Sequence, residues 1–326
     1  MKQKLVFKIT GGLIAVIILA LIGGWLAFVP SAKEAGYKFV SAWGTKGTGS
    51  GEFNDPIGLA VSDNEVFVSD SRNARIEVFD YDGTFQRSFG TRGDGPGQLG
   101  RPMNLTIRNG ELYVADYFND RIEIYALDGS YLRSVGSTGD GPGQFNAPGG
   151  VAVAQNGDIY VADFYNKRVQ KLKADGSFIR QWGTTGKIGI WAGQFNYPTD
   201  VVLGADGTVF AADGYNDRIQ VFTPAGDFSH KWGGPFAVNI KGSYNGWFRT
   251  VSSIAVGPAG RVFATDFNDH RIQAFRKDGT FLFSIGQHGA GPGQFTYPLG
   301  IDVARDGTLF VVDYGNNRIE KWHPVK

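Results

Sequence analysis

The chain of 326 residues contains no cysteine, and this absence removes several chemistries together. Without a thiol there is no disulfide, no thiolate zinc site, no c-type haem attachment and no cysteine nucleophile. Methionine is rare, with two residues, and neither sign of charge is in excess, since the formal net charge is +1. A chain without a basic field has little to hold a phosphate backbone, so we do not expect nucleic acid as a partner.

Glycine and aromatic residues are abundant instead, with 48 glycines and 14% Phe, Trp and Tyr. This composition is typical of all-β domains with short strands and tight turns. The four histidines, His230, His270, His288 and His323, stand at different positions along the chain. No spacing among them brings three together, as a metal site requires.

The N-terminus carries an apolar run. Lys2, Lys4 and Lys8 precede the uncharged segment Ile9–Val29, which is long enough for a helix to cross a bilayer. We predict a retained single-pass anchor in the cell membrane, with the N-terminus cytoplasmic and the body periplasmic or extracellular. The alternative is a cleaved signal peptide, although residues 30–32 form a poor cleavage site. Both interpretations export the body.

The rest of the sequence repeats every 46 to 53 residues. A Gly-rich segment at 139–148 returns at 93–102 and 289–298, and more loosely at 47–56 and 186–198. It is followed by an Asp-x-x-Asn-x-Arg motif, which begins at Asp70, Asp116, Asp163, Asp213, Asp266 and Asp313, with Asp269 replacing asparagine in the fifth copy. Such a period indicates a repeat architecture.

Each repeat predicts four short strands, A to D, joined by hairpins. Pairs such as Asn156-Gly157 and Asp175-Gly176 supply the positive φ that tight hairpins need. Six four-stranded meanders make a six-bladed β-propeller. The last repeat lacks strand D, and residues 39–44 match that strand, so we expect them to complete the last blade. We assign 1–32 to a cytoplasmic stub and the anchor, 33–38 to a linker and 39–326 to the propeller.

These motifs resemble the NHL repeat family over residues 39–323. The resemblance implies an all-β, six-bladed propeller of antiparallel blades, closed by its N-terminal strand and here preceded by one transmembrane helix. NHL propellers include protein- and RNA-binding modules, sensor domains and a few enzymes. We predict an anchored platform outside the cytoplasm that binds a protein or peptide, or a subunit of a membrane-associated complex.

The alternative is a lyase or hydrolase with calcium or zinc on the central axis. The chain is similar to the NHL-type peptidylglycine amidating lyase in phrases such as residues 213–218. That lyase has metal-binding histidines directly after the strand A proline. The matching positions hold Ile57, Met103, Gly149, Thr199, Ser252 and Leu299. We therefore assign no catalytic residue and predict no cofactor, with calcium or zinc kept as part of the alternative.

A residue present in every repeat is a fold requirement, whereas a site on a ring should break the symmetry. We therefore interpret the repeated Asp and Arg as a structural ion pair, with Asn in a left-handed turn. Along strand A the symmetry is broken by Asn104, Asp200 and Asp302. These oxygens are candidate metal ligands on the axis, and the alternative is that they cap a water-filled channel.

Aromatic residues after the repeated Asp also break the symmetry, and they predict an exposed arc for a protein or peptide. The alternative is packing between neighbouring loops. Insertions at 187–191 and 235–247 add apolar side chains, as a partner surface or a local cap. The candidate partner-binding residues are Tyr117, Phe118, Phe164, Tyr165, Tyr215, Phe267, Trp191 and Trp247. The short linker predicts that the hairpin side or rim faces the bilayer and that the aromatic loops and insertions point away.

Overall fold

A computed structural model describes residue 23 and residues 28–325 of the chain. The predicted membrane-spanning run Ile9–Val29 therefore lies outside the described residues, except for Gly23, Phe28 and Val29. In the part that is described, no helix is both long and apolar enough to cross a membrane.

The described chain consists of short strands. In chain order they are β1 (Tyr37–Trp43), β2 (Thr45–Lys46), β3 (Glu52–Phe53), β4 (Pro56–Val61), β5 (Glu65–Asp70), β6 (Arg75–Asp80), β7 (Phe85–Phe89), β8 (Thr91–Arg92), β9 (Gln98–Leu99), β10 (Pro102–Arg108), β11 (Glu111–Asp116), β12 (Arg121–Ala126), β13 (Tyr131–Val135) and β14 (Pro148–Val153). They continue as β15 (Ile159–Asp163), β16 (Arg168–Leu172), β17 (Phe178–Trp182), β18 (Pro198–Leu203), β19 (Val209–Asp213), β20 (Arg218–Phe222), β21 (Phe228–Trp232), β22 (Val251–Val256), β23 (Val262–Asp266), β24 (Arg271–Phe275), β25 (Phe281–Ile285), β26 (Pro298–Val303), β27 (Leu309–Asp313) and β28 (Arg318–Pro324).

Six four-stranded antiparallel sheets form the blades, as the repeats predict. Blades one to five are β4–β7, β10–β13, β14–β17, β18–β21 and β22–β25, each in sequential order. Strand A of each blade contacts strand A of the next around the ring, and β26 contacts β4 to close it. Short 3-10 turns occupy Ser71–Asn73, Gly214–Asn216, Pro235–Ala237, Pro258–Gly260, Phe267–Asp269 and Tyr314–Asn316.

The hydrophobic core is divided between neighbouring blades, because each blade buries both faces of its inner strands. One cluster joins blades two and three, for example, through Tyr113 and Ile124 on one side and Phe145 and Val151 on the other. Equivalent clusters fill the other five interfaces, including that between blades six and one. Strand D is the outer strand and is more exposed, as in β17.

The N-terminal strand closes the ring, which confirms the prediction for residues 39–44. β1 pairs antiparallel with β28, so the sixth blade has the order β1-β28-β27-β26. Tyr37 lies opposite Pro324 and Trp43 lies opposite Ile319. The Phe39 and Trp322 rings meet edge to face at 5.8 Å. Closure covers the edge of β28 that would otherwise be unpaired.

Residues before β1 are packed along blade five. The Lys33 amide donates to the Leu282 carbonyl on β25 (2.7 Å), and the Val325 amide donates to the Gly36 carbonyl (3.1 Å). Glu34 forms an ion pair with Arg261 (2.5 Å). The segment predicted as a linker is thus hydrogen-bonded to the propeller.

The 235–247 insertion contacts the N-terminal segment, whereas the short linker predicts only that the insertions point away from the bilayer. The Phe28 ring lies 5.3 Å from the Phe236 ring, and the Trp247 indole donates to the Phe28 carbonyl. Asn245 also donates to the Pro30 carbonyl (3.1 Å). The contact arises because the segment that precedes β1 runs along the outer strand of blade five and reaches the insertion.

Candidate functional site

The repeated Asp and Arg fasten two loops of the ring to each other. In blade three the Arg168 Nε donates to Asp163 Oδ2 (2.8 Å), and Nη2 donates to the carbonyls of Gly141 (2.8 Å) and Gln144 (2.9 Å). Both side chains of this ion pair are buried. The structural interpretation is confirmed in five blades, where the pair holds the loop between strands B and C against the Gly-rich loop that precedes the blade. In blade two Arg121 pairs with Glu123 instead and still donates to the Gly-rich loop.

The asparagine of the motif has a different structural role from the one expected. Asn166 Nδ2 donates to the Gly139 carbonyl (2.8 Å) and to Asp163 Oδ2 (2.9 Å). The left-handed residue is the next one, Lys167, with φ of 56°. The expectation that Asn takes the left-handed conformation is therefore wrong, because Asn166 uses its side-chain amide to donate to Gly139 and Asp163 while Lys167 makes the left-handed step.

These fixed loops project aromatic rings that form one cluster over blades two to four. We call this group the aromatic face: Tyr117, Phe118, Phe164, Tyr165, Tyr197 and Tyr215. Phe164 stands at its centre, with ring centroids 5.1 Å from Tyr165 and 6.0 Å from Tyr215. The exposed fractions of Phe118, Tyr165 and Tyr215 are 61%, 45% and 52%. The two alternatives, packing between loops and an exposed aromatic arc, are compatible. The rings pack on one another and also present a broad exposed surface.

Tyr197 is the residue that the sequence analysis missed. Its ring lies 4.8 Å from Phe164 and 5.1 Å from Tyr215, so it links the loops of blades three and four. The residue directly precedes Pro198 and has φ of 53°. Asp55 and Ala147 hold the same place with the same left-handed φ. The position before each strand A proline was a usable signal, because it too breaks the symmetry.

Two cations lie over the aromatic face. The Arg101 guanidinium is 5.8 Å from the Tyr117 ring centroid and 5.6 Å from that of Phe118. Lys167 Nζ is 4.6 Å from the Tyr197 ring and donates to the Tyr165 carbonyl (2.8 Å). Burial, followed by a hydrogen bond with Tyr165, raises the pKa of Tyr117 well above its usual range. The surface is therefore aromatic with a cationic border, which suits acidic or aromatic ligand groups.

The aromatic face borders a cavity at the mouth of the central axis. The cavity has a volume of about 220 Å³ and is lined by Ile57, Arg101, Met103, Asn104, Tyr117, Gly149, Phe164, Thr199, Ser252 and Leu299. These include the six residues that directly follow the strand A proline or its equivalent, which the resemblance matches with the histidine positions of the lyase. Their side chains are mostly apolar, so the mouth is an apolar funnel, with the rings of Tyr117 and Phe164 on one side.

The axial oxygens lie deeper and are already hydrogen-bonded. Asp200 accepts from the Ser253 hydroxyl (2.7 Å) and from the amides of Ile254 (3.1 Å) and Val201 (2.9 Å). Burial raises the pKa of Asp200 to about 7, and these hydrogen bonds, together with one from Asn104, oppose the shift.

Asp302 is held in a similar way, by the amides of Val61 (2.9 Å) and Val303 (2.8 Å), and burial raises its pKa to about 6. A cavity of about 120 Å³ on the axis touches Asn104, Asp200 and Asp302. Within residues 28–325, no group of three or more His, Asp or Glu side chains is arranged to hold a metal ion. Although they line this cavity, both carboxylates are held by backbone amides, and Asp200 also by the Ser253 hydroxyl, which favours a structural role for them.

Three predicted partner-binding residues lie outside the aromatic face. Phe267 stacks on Tyr297 (4.9 Å, 29°) at blades five and six. Trp191 is 67% exposed, in the insertion before blade four. Trp247 is 7% exposed, beneath the N-terminal segment, and its ring packs on Tyr244 (5.1 Å). The burial of Trp247 corrects its selection as a binding residue, because its ring is used inside the chain.

Two histidines come together although their sequence spacing does not suggest it. The His270 and His288 rings lie 4.2 Å apart, and His270 Nδ1 accepts from the Tyr297 amide (3.0 Å). Burial and the neighbouring His288 lower the pKa of His270 below its ordinary value.

Known proteins share both the repeat and the ring. The NHL repeat matches residues 53–79, 145–172 and 195–222, and a family described as a 6-bladed beta-propeller matches residues 247–322. The chain is thus a six-bladed β-propeller that contains NHL repeats.

Individual relatives are more distant. A 71-residue segment is 35% identical to Protein brain tumor of Drosophila melanogaster, covering 22% of this chain and 7% of that protein. A structural genomics protein of unknown function from Bacteroides thetaiotaomicron has a TM-score of 0.67 at 16% identity, covering 89% of this chain and 76% of its own. Streptogramin B lyase has a TM-score of 0.61 at 17% identity, covering 90% and 100%. At these identities the two structures share the fold with this chain.

Proposed function

We propose that this propeller is a binding platform, anchored in the cell membrane through Ile9–Val29 and held outside the cytoplasm, which takes a protein or peptide on its aromatic face. The observation that carries the proposal is the continuous cluster of six rings, three of them strongly exposed. In blades three and four, buried Asp–Arg ion pairs fasten the loops that carry these rings. Rigid aromatic side chains lose little entropy on binding and are the usual anchors of protein interfaces. The proposal includes membership in a membrane-associated assembly, in which the docked protein is another subunit.

A partner with an acidic or aromatic segment fits best. Arg101 and Lys167 border the rings on two sides, and the apolar funnel beside Phe164 is large enough for one side chain. A peptide lying across Tyr165 and Tyr215 can therefore insert one apolar residue at the mouth and pair a carboxylate with a cation at the border.

The alternative, a propeller lyase or hydrolase, shares the fold of streptogramin B lyase. Among the described residues that line the mouth, however, none has a His, Asp or Glu side chain. The axial carboxylate Asp200, which lines the deeper cavity, accepts three protein donors. The mouth therefore supports binding better than acid–base or metal chemistry.

The test is purification of the full chain in mild detergent through a C-terminal tag, with mass spectrometry of what co-purifies. We expect a stoichiometric partner, lost in the Tyr165→Ala/Tyr215→Ala variant, because two exposed anchors of one interface are removed. The matched control is Leu132→Ala/Ile179→Ala, which removes exposed apolar side chains from outer strands. Retention of the partner by the first variant and its loss from the second would contradict the proposal.

A further inference from the structure

A second exposed apolar surface lies on the rim of blades four and five, away from the axis. We call it the rim patch, and its exposed side chains are Ile188, Ile190, Trp191, Phe236, Ile240 and Tyr244. All six come from the two insertions that interrupt the repeat. Phe236 is 73% exposed, more than any other large hydrophobic residue in the described chain. Surfaces of this kind mark interaction sites.

A buried arginine makes the two insertions one surface. Arg218 Nη1 donates to the carbonyls of Ala237 (2.9 Å) and Ile190, and Nη2 donates to that of Trp191 (3.1 Å). The same guanidinium is paired through Nε with Asp213, and both side chains are fully buried. The rim patch is thus fixed by the repeat motif of blade four, although its apolar residues lie outside the repeat.

The rim patch lies where the apolar N-terminal run reaches the propeller. Phe28 contacts Phe236 edge to face (5.3 Å), and its carbonyl accepts from the Trp247 indole. Phe28 is the last residue but one of the uncharged run Ile9–Val29. If that run spans a bilayer, the contact between Phe28 and Phe236 places Phe236 next to the membrane surface.

The composition of the two insertions suits a membrane surface. They contain Ile, Phe, Tyr and Trp side chains with Lys187 and Lys241, and neither contains Asp or Glu. Lys231 Nζ also reaches the Ile190 carbonyl (3.3 Å) at the same edge. Aromatic rings favour the level of the lipid headgroups, and lysines beside them attract anionic lipid.

We propose that the rim patch rests on the lipid bilayer, with Trp191, Phe236 and Ile240 at the level of the headgroups. This inference rests on the proposed anchor. It means that two contacts, the anchor and the rim patch, fix the propeller edge-on at blades four and five. The aromatic face of blades two to four would then be held at a constant angle to the membrane.

The absence of cysteine makes a direct test available. Full chains with Phe236→Cys or Trp191→Cys are labelled with a fluorophore and placed in phosphatidylethanolamine–phosphatidylglycerol vesicles that contain lipid with a shallow nitroxide quencher. The matched control is Leu132→Cys, which is 45% exposed on strand D of blade two, opposite blade five in the ring. All three sites are exposed, and equal melting temperatures confirm that the label leaves the fold intact.

We expect quenching at Phe236 and Trp191 to exceed that at Leu132 several-fold. Equal quenching at the three sites, in vesicles that keep the chain after a carbonate wash, would overturn the rim patch and leave the anchor in place. Release of the chain by carbonate would instead overturn the anchor and with it this inference. Protection of the Phe236 label in native membranes, without quenching in lipid vesicles, would assign the rim patch to a protein and overturn the lipid contact.

Discussion

Three of the six blades have a carboxylate where the other three have an amide. At the third residue of strand C stand Glu77, Glu123 and Glu320 in blades one, two and six, and Gln170, Gln220 and Gln273 in blades three to five. Gln170 donates to the Gln144 carbonyl (2.7 Å) and to Asp163 Oδ2 (3.2 Å). A glutamate at this place cannot donate unless it is protonated. Burial raises the pKa of Glu123 to about 7, with the Asp116 carboxylate adding to the shift and Arg121 opposing it.

Exchange of this residue should change how stability depends on pH. Because the folded pKa of about 7 is above the ordinary 4.5, the folded chain binds a proton that the unfolded chain does not between these values. Wild-type stability therefore falls as pH rises from about 4.5 through 7, and the loss remains above that pH. Glu123→Gln should melt at a higher temperature than wild type at pH 8, with a smaller difference at pH 5.

The reciprocal change is the control for this prediction. Gln170→Glu should lose stability at pH 8 and recover part of it at pH 5, because Asp163 then faces a second buried carboxylate. Melting curves of the three chains at both pH values measure the effect. A pH-independent difference between Glu123→Gln and wild type would show that Glu123 is ionised in the folded chain.

Among the elements, β1 contributes to stability at both interfaces of blade six. It supplies the outer strand of blade six and places Tyr37 and Trp43 against neighbouring blades. The segment before it adds hydrogen bonds to blade five. The ring is therefore closed by residues far apart in sequence, which is how a propeller avoids a free sheet edge.

Truncations separate the closing strand from what precedes it. A chain that lacks residues 1–44 should melt well below the full chain, because β28 loses its partner and the Phe39–Trp322 contact. A chain that lacks residues 1–27 keeps every described contact of β1 and should melt close to the full-length value. Calorimetry in the same detergent compares the three. Equal melting temperatures for the two truncations would contradict closure by β1.

Sequence reasoning succeeded where a feature repeats and was weaker where it does not. The blades, the turns and the closing strand follow from six copies of one pattern, such as the Asp163 and Arg168 motif and the Asp175-Gly176 turn. The contact of Phe28 with Phe236 and the burial of Trp247 come from single-copy segments, and their packing has no second example in the chain. Tyr197 was missed because the aromatic positions considered follow the repeated Asp or lie in the insertions, whereas Tyr197 directly precedes Pro198.

At the scale of the whole molecule, the exposed apolar surface is concentrated on one side of the ring. The aromatic face covers blades two to four, and the rim patch covers the edge of blades four and five. The N-terminal segment reaches the propeller at the second surface. The proposed platform assigns these two surfaces to different functions, the rim patch to the membrane and the aromatic face to the partner.

The most direct test of the aromatic face as the docking site is photo-crosslinking in intact cells. A benzophenone amino acid replaces Tyr165 in one full-length chain and Leu132, an exposed residue on the outer strand of blade two, in another. We predict that irradiation joins the chain with the probe at Tyr165 to one protein of defined mass, and that the chain with the probe at Leu132 gives no such product. A protein joined at Leu132 and absent at Tyr165 would contradict the assignment of the aromatic face.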